Sequence, residues 1–147
     1  MADAVIRPLA TEDREAWARL RHALWPSEPE AALREELADM IEGGLVGFGA
    51  FDGAELLGFA ELSERAYGDG CLTAPVAWLE GIYVQPAARR RGIGRRLLAA
   101  GEDWARTRGL SEIGSDAELD NLTSRLSHAF WGFEETERVV RFRKALT

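Results

Sequence analysis

The chain has 147 residues, 46% of them hydrophobic, which suits a single domain, residues 1–147, with a sizeable core. Its 25 acidic and 18 basic residues give a formal net charge of -7, which argues against a nucleic-acid binder and favours a cationic partner. One cysteine and two histidines offer no intrachain disulfide and no recognisable metal-ligand spacing. No segment has the roughly 20 apolar residues of a membrane-spanning helix, and the N-terminus does not read as a signal peptide. We therefore expect a cytoplasmic, metal-free protein that binds no membrane.

Hydrophobic periodicity and turn residues predict the elements of the first half of the chain. A short strand is expected first, over residues 4–7. Apolar residues at helical spacing then predict two helices, separated by a break at Pro26, over residues 11–25 and 27–43. Two strands follow over residues 45–51 and 55–62, and the Asp52-Gly53 dipeptide between them is typical of an antiparallel hairpin.

The second half alternates strands and helices. The patterns predict a loop, a strand, a helix, a short strand, a helix and a closing strand, over residues 63–75, 76–84, 92–108, 110–115, 116–132 and 133–142. Gly81 lies within its strand and indicates a bulge or a place where another backbone comes close. Regular alternation places Glu80 on the same face as Ile82. Asp116 or Asp120 is expected to cap the last helix. The order of elements predicts an α/β fold, a single-domain mixed, mostly antiparallel sheet flanked by helices.

A basic, glycine-containing loop joins the strand at residues 76–84 to the next helix. Residues 89–94 read R-x-x-G-x-G. Glycines let an anion approach the backbone, arginines meet its charge, and the peptide dipoles at a helix N-terminus favour a phosphate. The pattern alone leaves open a second interpretation, that of a solvated basic helix start.

The surroundings of this loop resemble the GNAT superfamily of N-acetyltransferases. The strand sequence IYV, the loop QPAARRRGIG, a helix, a short strand, Asn121 and then Gly132-Phe133 follow one another in the order of that superfamily. The resemblance implies that the protein uses acetyl-CoA as cosubstrate. It also implies that the coenzyme is held by Ile82, Tyr83, Val84, Arg89, Arg90, Arg91, Gly92, Ile93, Gly94, Arg95 and Asn121.

Four separated stretches are more specific. Trp25 in LRHALW, then PVAWLEGIYV, SDAELDN and GFEETERVVRF, resemble the bacterial aminoglycoside 6'-N-acetyltransferases. The resemblance implies acetyl transfer to the 6'-amine of an aminoglycoside by direct attack in a ternary complex, a role in antibiotic resistance, and a homodimer. It places the aminoglycoside contacts at Trp25, Glu28, Tyr67, Glu80, Asp116 and Glu137. The loop at residues 68–74 departs from the family, which often has further acidic residues there.

The chemistry agrees with these residue types. Carboxylates pair with the ammonium groups of a polycation, but an ammonium has no lone pair with which to attack, so a proton acceptor is required. The resemblance places Glu80 beside the acetyl site, and we predict that Glu80 accepts the proton, directly or through water. His128 stands where the superfamily commonly has a tyrosine that protonates the leaving thiolate, and a histidine can donate a proton at neutral pH.

Two other functions remain compatible with the sequence. One is acetylation of another polycationic amine, such as a polyamine. The other is a coenzyme-A-binding protein that sequesters the drug with poor turnover. Thiol release in the presence of different amines separates all three.

Overall fold

The structure is a computed structural model that describes residues 3–147. It contains a first unit that ends at Ser115 and a second unit, Asp116–Thr147. In the described residues the elements run β1 (Val5–Pro8), α1 (Arg14–Leu24), α2 (Glu30–Glu42), β2 (Val46–Asp52), β3 (Glu55–Arg65), β4 (Val76–Val84), α3 (Ile93–Thr107), β5 (Ile113–Gly114) and α4 (Leu122–Phe130). No helix within residues 3–147 is long and apolar enough to cross a membrane.

The first unit is built on one sheet with the strand order β1-β2-β3-β4-β5. The first four strands pair antiparallel, and β5 pairs parallel to β4 through two residue pairs. The predicted hairpin is present, and Gly53 adopts the left-handed φ of 59° that its tight turn requires. The mixed, mostly antiparallel sheet with helices is confirmed.

Strand β3 presents different side chains to α1 and to α3. Phe59 and Trp17 of α1 belong to one buried apolar cluster, whereas Leu62 packs against Gly101 of α3. A Cβ on Gly101 would lie 2.9 Å from Leu62 Cδ1, so the glycine lets α3 approach the sheet closely. Because side chains alternate along a strand, Glu61, Ser63 and Arg65 all lie on the α1 side with Phe59.

The predicted bounds of β3 and β5 differ from the structure. Strand β3 runs on to Arg65, where it pairs with Val76, although residues 63–65 were expected in a loop. Strand β5 is limited to Ile113–Gly114 within the predicted range 110–115. The end of β3 could not be predicted because its residues are polar. An antiparallel strand continues as far as the neighbouring strand can pair with its backbone, whatever the hydrophobicity of the side chains.

Two predictions for the second unit are wrong. Helix α4 starts at Leu122, and its N-cap is Asn121, whose side chain accepts a hydrogen bond from the Ser124 N–H at 3.1 Å, so neither Asp116 nor Asp120 caps it. The predicted closing strand at residues 133–142 is absent from the described residues, which show no regular element after α4. A β-forming sequence becomes a strand only when a partner strand accepts its backbone hydrogen bonds.

Candidate active site

A β-bulge in β4 determines where Glu80 lies. The ladder pairs Glu61 with Gly81 and Leu62 with Leu79, so Glu80 is the extra residue and has no partner opposite it on β3. A bulge of this kind re-aims a side chain and leaves local backbone groups outside the ladder. The bulge predicted near Gly81 is therefore present.

The bulge also changes the side of the sheet that Glu80 faces. Glu80 accepts a hydrogen bond from Ser63 and so lies on the α1 side, whereas Ile82 pairs with Ala60 and lies on the other side. The expectation that Glu80 and Ile82 share a face was wrong, because the extra residue interrupts the alternation.

Glu80 is held by two side chains of β3. Oε1 accepts hydrogen bonds from Ser63 Oγ at 2.9 Å, Arg65 Nε at 3.0 Å and Arg65 Nη2 at 2.7 Å, and Oε2 accepts from Arg65 Nη2 at 2.8 Å. The guanidinium carbon of Arg65 lies 4.4 Å from the ring centre of Trp78. Charge-assisted bonds of this kind are stronger than neutral ones. Neither partner is predicted from the sequence, because the charged residues after Leu62 predict a loop over residues 63–75.

Trp25 lies next to Gly81 on the same side of the sheet. A Cβ on Gly81 would come within 2.8 Å of Trp25 Cη2, so the missing side chain makes room for the indole. Trp25 ends α1, where its N–H donates to the Arg21 carbonyl at 2.8 Å, and its own carbonyl accepts from the Glu28 N–H at 3.3 Å. The structure thus brings Trp25 next to the bulge that carries Glu80, and the exposed Glu28 lies three residues after Trp25 in the chain.

A buried polar cluster lies beneath this site. Trp17 Nε1 donates to Glu61 Oε1 at 2.7 Å, and Arg21 Nε lies 2.7 Å from the same oxygen without directing its N–H at it. Arg21 also donates to the Leu33 carbonyl at 3.0 Å and lies 3.3 Å from Met40 Sδ. Burial of the charged form outweighs the charge of Arg21 and the bond from Trp17, and raises the pKa of Glu61 to about 7. No local sequence signal marks this cluster, because its members come from distant elements.

The basic loop turns sharply into α3. Arg90 and Gly92 adopt left-handed φ values of 65° and 73°, and a Cβ on Gly92 would meet no atom within 4 Å. Arg89 Nε donates to the Val84 carbonyl at 2.8 Å and so ties the loop to the end of β4. Helix α3 begins at Ile93. Its first N–H groups and the neighbouring arginines together form a candidate anion site.

Beyond the two pairs with β5, the rest of β4 has one open side. The parallel ladder includes Ala77 and Trp78 only, so in the described part of the chain residues 79 and 81–84 have a strand partner only on the β3 side. An open strand edge offers backbone N–H and C=O groups to an extended ligand. The residues predicted to pair with a pantetheine arm, Ile82, Tyr83 and Val84, lie in this segment.

Glu112 holds the loop that follows Tyr67. Its carboxylate accepts hydrogen bonds from the N–H of Leu72 at 2.9 Å, from the N–H of Thr73 at 2.6 Å and from the Thr73 hydroxyl. These bonds, from the Thr73 hydroxyl above all, lower the pKa of Glu112. Tyr67 is 70% exposed and is available to a ligand.

The remaining predicted residues belong to the second unit. Asp116 and Glu137 are exposed, and Asn121 caps α4 through its side chain. His128 Nδ1 lies 2.7 Å from the Ser124 carbonyl oxygen and 3.3 Å from the Ser124 hydroxyl oxygen. Within residues 3–147, no cluster of three or more His, Cys, Asp or Glu side chains could hold a metal ion.

Comparison with known proteins gives a consistent set of relatives. The acetyltransferase (GNAT) family model matches residues 11–133. An aminoglycoside N(6')-acetyltransferase type 1 of Serratia marcescens is 46% identical over 140 residues, covering 92% of this chain and 94% of the relative. One of Klebsiella aerogenes is 42% identical over 148 residues, with 97% of each chain covered. The structure of AAC(6')-Iy in complex with the bisubstrate analog CoA-S-monomethyl-acetylneamine is 37% identical, covers 99% of this chain and 100% of that one, and superposes with a TM-score of 0.91.

Proposed function

Because the chain belongs to the GNAT family of acetyltransferases, we propose that it transfers an acetyl group from acetyl-CoA to the 6'-amine of an aminoglycoside antibiotic, which confers resistance. The observation that carries this proposal is the similarity, along almost the entire chain, to enzymes named aminoglycoside N(6')-acetyltransferase. The family match spans residues of both units, which supports a single acetyltransferase domain. Its use of acetyl-CoA supports a cytoplasmic location.

The residues at the end of β4 and the start of α3 fit acetyl-CoA. The basic loop has the donors and the charge that a pyrophosphate requires, and the open edge of β4 suits the amide groups of a pantetheine arm. We assign coenzyme binding to residues 82–84, to residues 89–95 and to Asn121. When bound, acetyl-CoA supplies an acetyl group activated as a thioester.

The residues assigned to the amine that accepts the acetyl group are acidic and aromatic, which suits a polycationic sugar. Glu80 is the bulged residue directly before Gly81, which the indole of Trp25 contacts, and exposed Tyr67 stands at the start of the adjoining loop. We assign aminoglycoside binding to these residues together with Glu28, Asp116 and Glu137. The net charge of -7 favours the approach of such a cation.

Glu80 is our candidate for the group that takes the proton from the substrate ammonium. Its Oε2 accepts one hydrogen bond and so retains acceptor capacity. Replacing Glu80 by Gln should depress turnover and shift the pH profile of kcat. Unchanged kinetics of Glu80→Gln would contradict this role.

His128 is the candidate donor to the leaving thiolate. A coenzyme A thiolate can also leave without a proton donor, so the contribution of His128 is expected to be small. A His128→Ala variant with full activity would show that this position is structural.

We also propose a homodimer. The second unit exposes several large apolar side chains, and its residues 133–142, which have a β-forming sequence, have no strand partner in the described part of the chain. The exposed fractions are 59% for Leu122, 62% for Leu126, 70% for Phe130, 62% for Val139, 78% for Val140 and 91% for Phe142. A second copy of this chain would cover such a surface. Light scattering at micromolar protein should give twice the chain mass, and a monomer mass would contradict the dimer.

Thiol release from acetyl-CoA tests the proposed function. Kanamycin should support rapid release, whereas spermidine and a reaction without an acceptor should not. Faster release with spermidine would favour the alternative acetyltransferase of polyamines. Binding of kanamycin without thiol release would favour a drug-sequestering protein.

A further inference from the structure

We propose that Arg65 limits the affinity of the acceptor site for cations by sharing the carboxylate of Glu80 with the substrate ammonium. The inference rests on the proposed function, since it concerns the residue assigned to the aminoglycoside. It makes Arg65 a specificity-determining residue that neither the sequence pattern nor the relatives' names identify.

The four hydrogen bonds to Glu80 are distributed unequally. Oε1 accepts three of them, two from Arg65 and one from Ser63, whereas Oε2 accepts one, from Arg65. A carboxylate has about four lone-pair sites in all. Oε2 is therefore the oxygen that can accept an N–H of a bound ammonium while Arg65 stays in place.

Arg65 is not a loose surface side chain. It projects from the paired end of β3, and its guanidinium lies 4.4 Å from the centre of the Trp78 ring, which is only 4% exposed. An aromatic face attracts a guanidinium and restricts its rotamers. The cation thus stays next to Glu80 when the substrate arrives.

This arrangement weakens the attraction between Glu80 and an ammonium. A bare carboxylate presents a full negative charge, whereas a carboxylate paired with Arg65 presents a dipole whose positive end lies close to the incoming cation. Removing the positive charge while leaving Ser63 to hold Oε1 should therefore tighten binding. A side chain needed only to hold the fold or the Glu80 rotamer would have the opposite effect when it is removed.

The test is calorimetric titration of kanamycin into wild type and Arg65→Gln. We expect Arg65→Gln to bind about three to five times more tightly, in the range of a partly exposed charge interaction, with a steeper dependence on salt. Arg65→Lys keeps the charge and should bind close to wild type. In a Glu80→Gln background the gain from Arg65→Gln should largely disappear.

Arg108→Gln is the matched control. Arg108 Nη2 lies 2.6 Å from Oε2 of Glu64, the neighbour of Arg65 that points to the opposite side of β3. The control removes the same charge from a similar pair and should leave kanamycin affinity unchanged. An equal gain in Arg108→Gln would assign the effect to net charge and overturn the inference.

Two outcomes separate the inference from the proposed function. If wild type acetylates kanamycin and Arg65→Gln binds it no more tightly, the role of Arg65 is wrong and the proposed function stands. If wild type neither binds nor acetylates kanamycin, both are wrong. Melting curves of each variant confirm that the compared proteins are folded.

Discussion

The indole of Trp25 lies directly against Gly81, where a Cβ would come within 2.8 Å of the ring. The end of α1 therefore meets the β4 strand at the residue that follows the bulge. Because Glu80 is the bulged residue, this contact places an aromatic side chain next to the bulge that carries the carboxylate proposed to meet the substrate.

Gly81→Ala should displace Trp25. The added methyl group overpacks the contact, at a typical cost of about 1–3 kcal/mol, and the indole must move away from the acceptor site. We expect the KM for the aminoglycoside to rise about tenfold, the equivalent of about 1.4 kcal/mol, and more than the KM for acetyl-CoA. Steady-state kinetics with each substrate varied measures both KM values.

Gly43→Ala is the control, because a Cβ there would lie at 3.4 Å or more from its neighbours. An unchanged aminoglycoside KM in folded Gly81→Ala would show that Trp25 does not act in binding.

Glu61 should make the stability of the protein depend on pH. Burial raises its pKa from 4.5 to about 7, so the folded chain keeps a proton that the unfolded chain loses over this window. The free energy of unfolding of wild type should therefore fall, relative to Glu61→Gln, as the pH rises from about 5 to about 8, by roughly 2 kcal/mol.

Urea denaturation of wild type and Glu61→Gln at both pH values measures this difference. Glu55→Gln, at the exposed start of the same strand, controls for the loss of one negative charge. If the free energy of unfolding of wild type minus that of Glu61→Gln stays constant or increases with rising pH, Arg21 and Trp17 outweigh the cost of burial.

Asn121 is expected to have two roles that can be separated. Asn121→Ala removes the cap of α4 and should lower the free energy of unfolding by about 1 kcal/mol. Asn121→Asp retains a capping oxygen and should restore the stability. If the amide also contacts the coenzyme, both variants should raise the KM for acetyl-CoA. Full stability of Asn121→Ala would contradict the capping role.

Glu112 should hold the loop after Tyr67 in place. Glu112→Ala removes the acceptor of the N–H groups of Leu72 and Thr73, and we expect hydrogen exchange at these two amides to become faster. Since the pKa of Glu112 is lowered in the folded state, the stabilisation should be present at neutral pH and be lost as the pH falls through that lowered pKa. Asp69→Asn, in the same loop, is the control. Unchanged exchange at Leu72 and Thr73 would show that the loop is held by other contacts.

The sequence predicted the features whose signals are local. The hairpin at Asp52-Gly53, the basic loop before α3 and the bulge near Gly81 each depend on residues close together in the chain. The partners of Glu80 and Glu61 could not be found in this way. Arg65 was assigned to a loop because its neighbours are charged, and Arg21 meets Glu61 only after α1 packs on the sheet.

The closing strand is the opposite case, in which the sequence predicts a strand that the structure does not have at residues 133–142. Val139, Val140 and Phe142 have high β propensity, but propensity cannot supply a partner for the backbone. Likewise, the side of the sheet that Glu80 faces depends on whether a bulge interrupts the alternation of side chains along β4. The pairing register of β3 with β4, which a sequence does not give, locates this bulge.

The reaction proposed for this protein is acetylation of the 6'-amine of an aminoglycoside. Neomycin and paromomycin differ only at that position, where neomycin has an amino group and paromomycin a hydroxyl group. The most direct measurement is thiol release from acetyl-CoA with each drug, followed by mass spectrometry of the product. We expect release with neomycin, a singly acetylated product, and release with paromomycin close to the rate without acceptor. Equal release with the two drugs, or none with neomycin, would contradict the proposed reaction.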